Sequence, residues 1–167
     1  MDYRIELEIS TGYLGYDMEK EEAIQQVGLY IEEGYHCSEA FIKGLGPLFS
    51  QIDVDNLTKY SSGFGGGLGM TKQNTCGLLA GGVMIISALL GRNELRCENK
   101  EDDEIDKRCQ EICAEYRLRF LDKIKATRCC EIRVMGYGSN GIPCSTLSRE
   151  MAEVFINLCE DYHLFDE

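Results

Sequence analysis

The sequence is poor in histidine, with only His36 and His163. That is too little imidazole for a Ser-His-Asp relay or a histidine-rich zinc site to be expected. No Cys-x-x-Cys occurs, which removes the thioredoxin-type motif, the rubredoxin-like zinc pattern and the c-type haem attachment site. The clustered spacing of ferredoxin cysteines is missing as well. There is no G-x-x-x-x-G-K-[ST] and no complete G-x-G-x-x-G, so a phosphate-cradling glycine loop has little support. Positive charge is also scarce. Against 29 Asp and Glu stand 17 Lys and Arg, a net charge of −12. A nucleic-acid binder needs a basic patch to neutralise phosphates, and an anionic membrane would repel such a chain. Neither partner is expected, and the acidity reads as a solubility device.

The opening residues, "MDYRIELEIS", lack a basic segment followed by an apolar core. No secretory signal is expected from them, and a cytoplasmic, reducing setting is the working expectation. The longest apolar stretch, Cys76 to Gly91, has 16 residues and four glycines. It falls short of the ~20 residues that span a bilayer. It reads instead as the buried central helix of a soluble protein.

What the sequence has in quantity is cysteine. There are nine: Cys37, Cys76, Cys97, Cys109, Cys113, Cys129, Cys130, Cys144 and Cys159. Without an oxidising compartment a disulfide framework is not expected. Abundant cysteine then points to metal or redox work, or to plain packing as a small hydrophobe.

The patterning predicts an all-α protein, a helical bundle of about five helices in one domain over residues 18–167. Residues 1–17 form a tail or a short strand, with alternation at Tyr3, Ile5, Leu7 and Ile9. "MEKEEAIQQVGLYIEEG" sets Ile24, Val27 and Ile31 on one face and stops at Gly34. "CSEAFIKGLGPLF" gives a shorter helix, stopped near Gly46-Pro47. A loop carrying "DVDNLTKYSS" and the glycine run "SSGFGGGLGM" follows, then the helix from Cys76 to Leu90. The longest helix covers about Asp102 to Lys125, with a stripe of Ile105, Cys109, Ile112, Cys113, Tyr116, Phe120 and Ile124. "CCEIRVM" makes one helical turn, "GYGSNGIP" a loop, and a last helix runs from about Cys144 to Leu164.

The cysteines sort by where they fall. Cys109, Cys113 and Cys159 sit on buried stripes and behave as small hydrophobes. Cys97 lies in a charged linker, and Cys130 is an accessory to Cys129. The remaining four, Cys37, Cys76, Cys129 and Cys144, each open a helix. A helix start offers free amide donors and positive dipole, which favour thiolate, the form that attacks disulfides or binds metal. Whether these four meet in space depends on the fold. In the glycine run, Gly63, Gly65, Gly66, Gly67 and Gly69 permit a tight backbone path close to the Cys76 helix. His36, next to Cys37, reads as a surface or capping residue.

"GFGGGLGM…TCGLLAGGVM", with "CSEAF" upstream and "TRCCEI" and "PCSTLSREMAEVF" downstream, resembles the C-GCAxxG-C-C family of redox-active proteins. The resemblance spans roughly Met18 to Leu164. It implies a small, mostly helical protein with four characteristic cysteines, one inside a CGAxxG motif. The matching positions are Cys37, Cys76 with the motif glycines Gly77 and Gly81, Cys129 and Cys144. Gly77 and Gly81 would then border any bound cofactor. Leu78 stands where the motif usually has Ala. The segment from Arg92 to Asp106 and the first 17 residues lie outside the likeness.

Three readings follow. In the first, two of the four thiols cycle between thiol and disulfide, for exchange or electron transfer with a redox partner protein. In the second, the four thiolates hold an iron–sulfur cluster or Zn²⁺; no c-type haem is expected. The third is a non-catalytic helical interaction module whose cysteines only pack. A homo-oligomer is compatible with all three.

Overall fold

The computed structural model describes residues 19–92, 100–138 and 141–166. The expected N-terminal strand or tail and Cys97 lie outside the described residues. Seven α-helices are present among those described: α1 Lys20–Glu32, α2 Cys37–Leu45, α3 Val54–Ser61, α4 Gly77–Leu90, α5 Lys100–Ile124, α6 Cys129–Val134 and α7 Cys144–Asp161. The all-α expectation holds, but two more helices form than the five expected.

The clearest addition is α3, where "DVDNLTKYSS" reads as a loop by pattern. Asp53 caps it, its carboxylate accepting from the Asn56 backbone N–H at 3.1 Å. Val54 and Leu57 pack their inner sides on the core. At its end the Ser38 hydroxyl of α2 donates to the Ser61 carbonyl at 2.8 Å, a buried bond that pins α3 to α2.

α1 packs on α2 and α7, α2 packs on α4, and α4 packs on α5. The rings of Phe41, Tyr116, Phe120 and Phe155 meet edge-on or tilted at the centre, with centroids 5.1–6.5 Å apart. Tyr116 reaches across from α5 and donates its hydroxyl to the Leu78 carbonyl at 3.2 Å. Its ring lies directly over Gly82, where a side chain would collide with it. The expected stripe of α5 is buried from Cys109 to Ile124, with Cys113 half-buried, whereas Ile105 stands exposed. Cys159 is fully buried in α7. No described helix is long and apolar enough to cross a membrane.

Close packing of α4 on α2 depends on small residues at their contact. A Cβ on Gly77 would stand 2.9 Å from Cys37 Cβ and 3.0 Å from the Ser38 amide nitrogen. A Cβ on Gly81 would stand 3.1 Å from the Ser38 carbonyl oxygen and from Phe41 Cβ. The start of α2, with its cysteine, is thereby held against the start of α4.

Candidate functional site

Each of the four singled-out cysteines sits at a helix start. Cys37, Cys129 and Cys144 are the first residues of α2, α6 and α7, and Cys76 is the N-cap of α4. Local sequence explains the starts. His36 precedes α2, and its backbone N–H donates to the Glu39 carboxylate at 2.8 Å, one half of a capping box. Pro143 precedes α7 and cannot extend the helix backwards through its own missing N–H.

A short backbone clamp brings two of these starts together. Thr75 and Arg128 form an isolated antiparallel bridge. In it the Cys76 N–H donates to the Thr127 carbonyl and the Cys129 N–H to the Asn74 carbonyl, both at 2.8 Å. The beginnings of α4 and α6 are thus fastened side by side. A second bridge joins Tyr137 and Ile142, closing the turn that leads into Cys144.

The glycine run folds over this junction in an unusual backbone conformation. Gly66, Gly67, Leu68, Gly69 and Met70 all have φ between 55° and 73°, and Lys72 has φ 63°. Left-handed geometry costs a non-glycine residue about 1–2 kcal/mol, so Leu68, Met70 and Lys72 carry local strain. Backbone bonds hold it, among them Met70 N–H to the Gly65 carbonyl and Lys72 N–H to the Gly66 carbonyl. The run was expected beside the Cys76 helix. It touches that helix through the Phe64 carbonyl, near Gly77, but its closest approach to a thiol is to Cys129. A Cβ on Gly67 would lie 2.8 Å from Cys129 Cβ.

The four thiols act on one another. The Cys37 S–H donates a hydrogen bond to the Cys144 sulfur, which holds the Cys37 proton on and raises its pKa further than burial alone. The same bond, with help from Arg133 and Lys72, pulls Cys144 down to about 6 despite its partial burial. Burial pushes Cys76 up to about 12, against hydrogen bonds from the Leu78 and Leu79 amides, with Cys129 and Cys144 adding like-charge repulsion. Cys129 is raised by burial, partly offset by Lys72 and then Arg133. Cys76 is buried and the other three are half-buried. All are free thiols, and Cys144 is the one whose thiolate prevails at neutral pH.

Cys130 points elsewhere, its S–H donating to the Gln73 carbonyl at 3.5 Å. Cys109 and Cys113 pair with each other on α5, and Cys159 is sealed in the core. His36 lies against Gly65 as the N-cap of α2, a capping position as expected. Among the described residues, no group of three or more His, Cys, Asp or Glu is disposed to hold a metal ion. The two cations at the site, Lys72 and Arg133, were not singled out from the sequence. Arg133 had a legible signal, since it follows Cys129 by four residues and shares its helix face. Lys72 had none, because only the left-handed turn brings it over Gly66 and toward the thiols.

A cavity of about 320 Å³ opens beside Cys144, lined also by Arg133, Gly138, Gly141 and Pro143. A half-exposed thiolate facing a hollow, hydrogen-bonded to a second thiol, has the parts needed for attack on a disulfide and for resolution.

Neither the curated proteins nor the solved structures hold a significant match to the chain. Residues 35–158, more than half of the chain, match the family described as "Putative redox-active protein (C_GCAxxG_C_C)". On this match the chain belongs to the C_GCAxxG_C_C family.

Proposed function

We propose that the protein is a thiol–disulfide exchange protein in which Cys144 attacks and Cys37 resolves. What carries this reading is the side-chain coupling of Cys37 to Cys144, which keeps the proton on Cys37 and favours the Cys144 thiolate, together with the open cavity beside Cys144. Two thiols that interact side chain to side chain are the natural pair to close to the ~2.05 Å of a disulfide. The family description as redox-active agrees with this chemistry.

The Cys144 thiolate attacks one sulfur of a substrate R–S–S–R. That S–S bond breaks, RS⁻ departs, and Cys144 is left in a mixed disulfide with the other half. Cys37 gives its proton to the departing thiolate and attacks the Cys144 sulfur. The second RS⁻ leaves and is protonated from water. The protein loses two electrons in forming the Cys37–Cys144 bond, and the substrate gains them as two thiols. Cys144 is suited to the first step because a pKa near the ambient pH combines a high thiolate fraction with good nucleophilicity. Cys37 is suited to the second because it stays protonated, and so does not repel Cys144, until the mixed disulfide has removed the charge. Buried Cys76 and half-buried Cys129 border the pair and restrain its ionisation to one thiolate. The cluster and zinc alternatives lack such support among the described residues.

A stoichiometric reaction with 2-hydroxyethyl disulfide at neutral pH tests the roles. The unmodified protein is expected to release both mercaptoethanol halves. Cys37→Ser should release one and keep the other as a mixed disulfide on Cys144. Cys144→Ser should release almost none on the same timescale. Equal release by all three chains would defeat the assignment.

A further inference from the structure

Resting on that reading, we propose that the cavity beside Cys144 takes a low-molecular-weight disulfide whose arms carry carboxylates, held by Arg133 with the charge of Lys72 adding to the attraction. The first observation is a local reversal of charge. The chain as a whole is strongly acidic, at −12. Yet the charged side chains acting on the Cys144 thiol are Arg133 and Lys72, both cationic. Most other placed cations are neutralised by a carboxylate. Lys20 pairs with Glu160, Arg119 with Glu115 and Asp161, and Arg149 with Glu32, at 2.7–3.0 Å. Among the described residues, Arg133 and Lys72 form no such ion pair; Lys72 instead rests its ammonium 3.8 Å from the Met70 sulfur.

The second observation is the shape. Arg133 borders two hollows. One, of about 320 Å³, contains Cys144. The other, of about 240 Å³, is lined by Arg133, Val134, Gly136, Tyr137 and Gly141. The guanidinium is already positioned, because it lies on the backbone of Gly138, where a Cβ would stand 2.6 Å from its Nη1. Gly138 has φ 112°, which keeps that seat free of a side chain. A planar guanidinium that borders both the hollow of the thiolate and a second one suits an extended molecule with its sulfur at Cys144 and a carboxylate further along. Exposed Val134, which lines the second hollow, offers apolar contact to the methylenes between those groups. The exchange itself proceeds as above, with the same bonds broken and formed and the same two electrons moved.

The test compares single-turnover rates with three disulfides of similar size: 3,3′-dithiodipropionate (anionic), 2-hydroxyethyl disulfide (neutral) and cystamine (cationic). Rates are measured at pH 8.5, where Cys144 is ionised with or without Arg133. A unit charge on the order of 6 Å from a cation in water changes local concentration about threefold. Replacing Arg133 should then lower the anion-to-cation rate ratio about tenfold, because the two substrates respond in opposite directions. The expected result is that drop for Arg133→Gln, retention of most of the ratio by Arg133→Lys, and a smaller fall for Lys72→Gln. In the unmodified protein 0.5 M salt should slow the anionic disulfide and quicken the cationic one, which decides the matter even if a variant fails to fold. A ratio unmoved by both the Arg133→Gln change and salt overturns the anion site while leaving thiol exchange standing. Failure to consume even the neutral disulfide overturns the exchange reading, and this inference with it.

Discussion

Removing the Cys37 thiol gives the sharpest test of how Cys144 is activated. In the native protein Cys144 ionises at about 6 rather than near 9, and the hydrogen bond from Cys37 is the largest cause. A hydrogen bond to a charged group contributes about 1.5–3 kcal/mol, and one pKa unit corresponds to ~1.4 kcal/mol. Cys37→Ala therefore deletes an effect of roughly one to two units. Water entering the space left by the sulfur opposes the loss, so the lower half of that range is expected, with a midpoint at roughly pH 7 to 7.5. The other groups facing Cys144 are unchanged: Arg133 and Lys72 favour its thiolate, while Cys76 and Cys129 stay protonated near neutrality. At pH 6.5 the ionised fraction then falls from about three quarters to between about a quarter and a tenth. The assay is the rate of carbamidomethylation of Cys144 by iodoacetamide from pH 5 to 9, followed by peptide mass. Cys37→Ser is the matched control, since its hydroxyl still donates toward the thiolate and should preserve most of the low midpoint. The sign follows from linkage. A depressed thiol pKa favours the folded state; that contribution is fully present above the ordinary thiol value near 9 and is lost as pH falls from there through about 6. An alanine variant whose midpoint stays with the parent would refute the hydrogen bond as the cause.

Four further outcomes are expected. Gly77→Ala places a methyl against Cys37 Cβ and the Ser38 amide, so urea unfolding should show a loss of about 1–2 kcal/mol, the overpacking cost less the helix propensity gained. Gly63→Ala, in open space within the same glycine run, should stay within about 0.5 kcal/mol of the parent in that assay. Tyr116→Phe removes the buried bond to the Leu78 carbonyl and should lower stability by about 1 kcal/mol, visible as a shifted thermal midpoint with unchanged helix content. Lys72→Met should raise the Cys144 midpoint by less than Cys37→Ala does, and raise that of Cys129 too, read by the same alkylation series.

Much of this was legible because the strongest signals are local. Gly34 ends α1, Pro47 closes the turn after α2, and the four cysteines fall where apolar periodicity begins, so their helix-start placement follows from sequence alone. α3 was not legible, because eight residues give only two turns of pattern and its inward residues are few. Its stability comes from the Asp53 cap and from Ser38, a partner 23 positions away. That the starts of α4 and α6 meet was equally hidden. It rests on the Thr75–Arg128 bridge, which joins segments 53 positions apart and leaves no periodic trace. The left-handed turn was signalled by glycine at Gly66, Gly67 and Gly69. The same conformation at Leu68, Met70 and Lys72 was not, because those residues adopt it only under tertiary constraint.

The most direct measurement is a disulfide map after mild stoichiometric oxidation of the fully reduced protein at pH 7. Digestion at low pH prevents reshuffling, and mass analysis then reads the peptide pairs. The expected product is one intramolecular bond joining the Cys37 and Cys144 peptides, with Cys76, Cys109 and Cys159 still free. A bond elsewhere, nine thiols that resist oxidation, or tightly held iron or zinc in the protein before treatment would contradict the account.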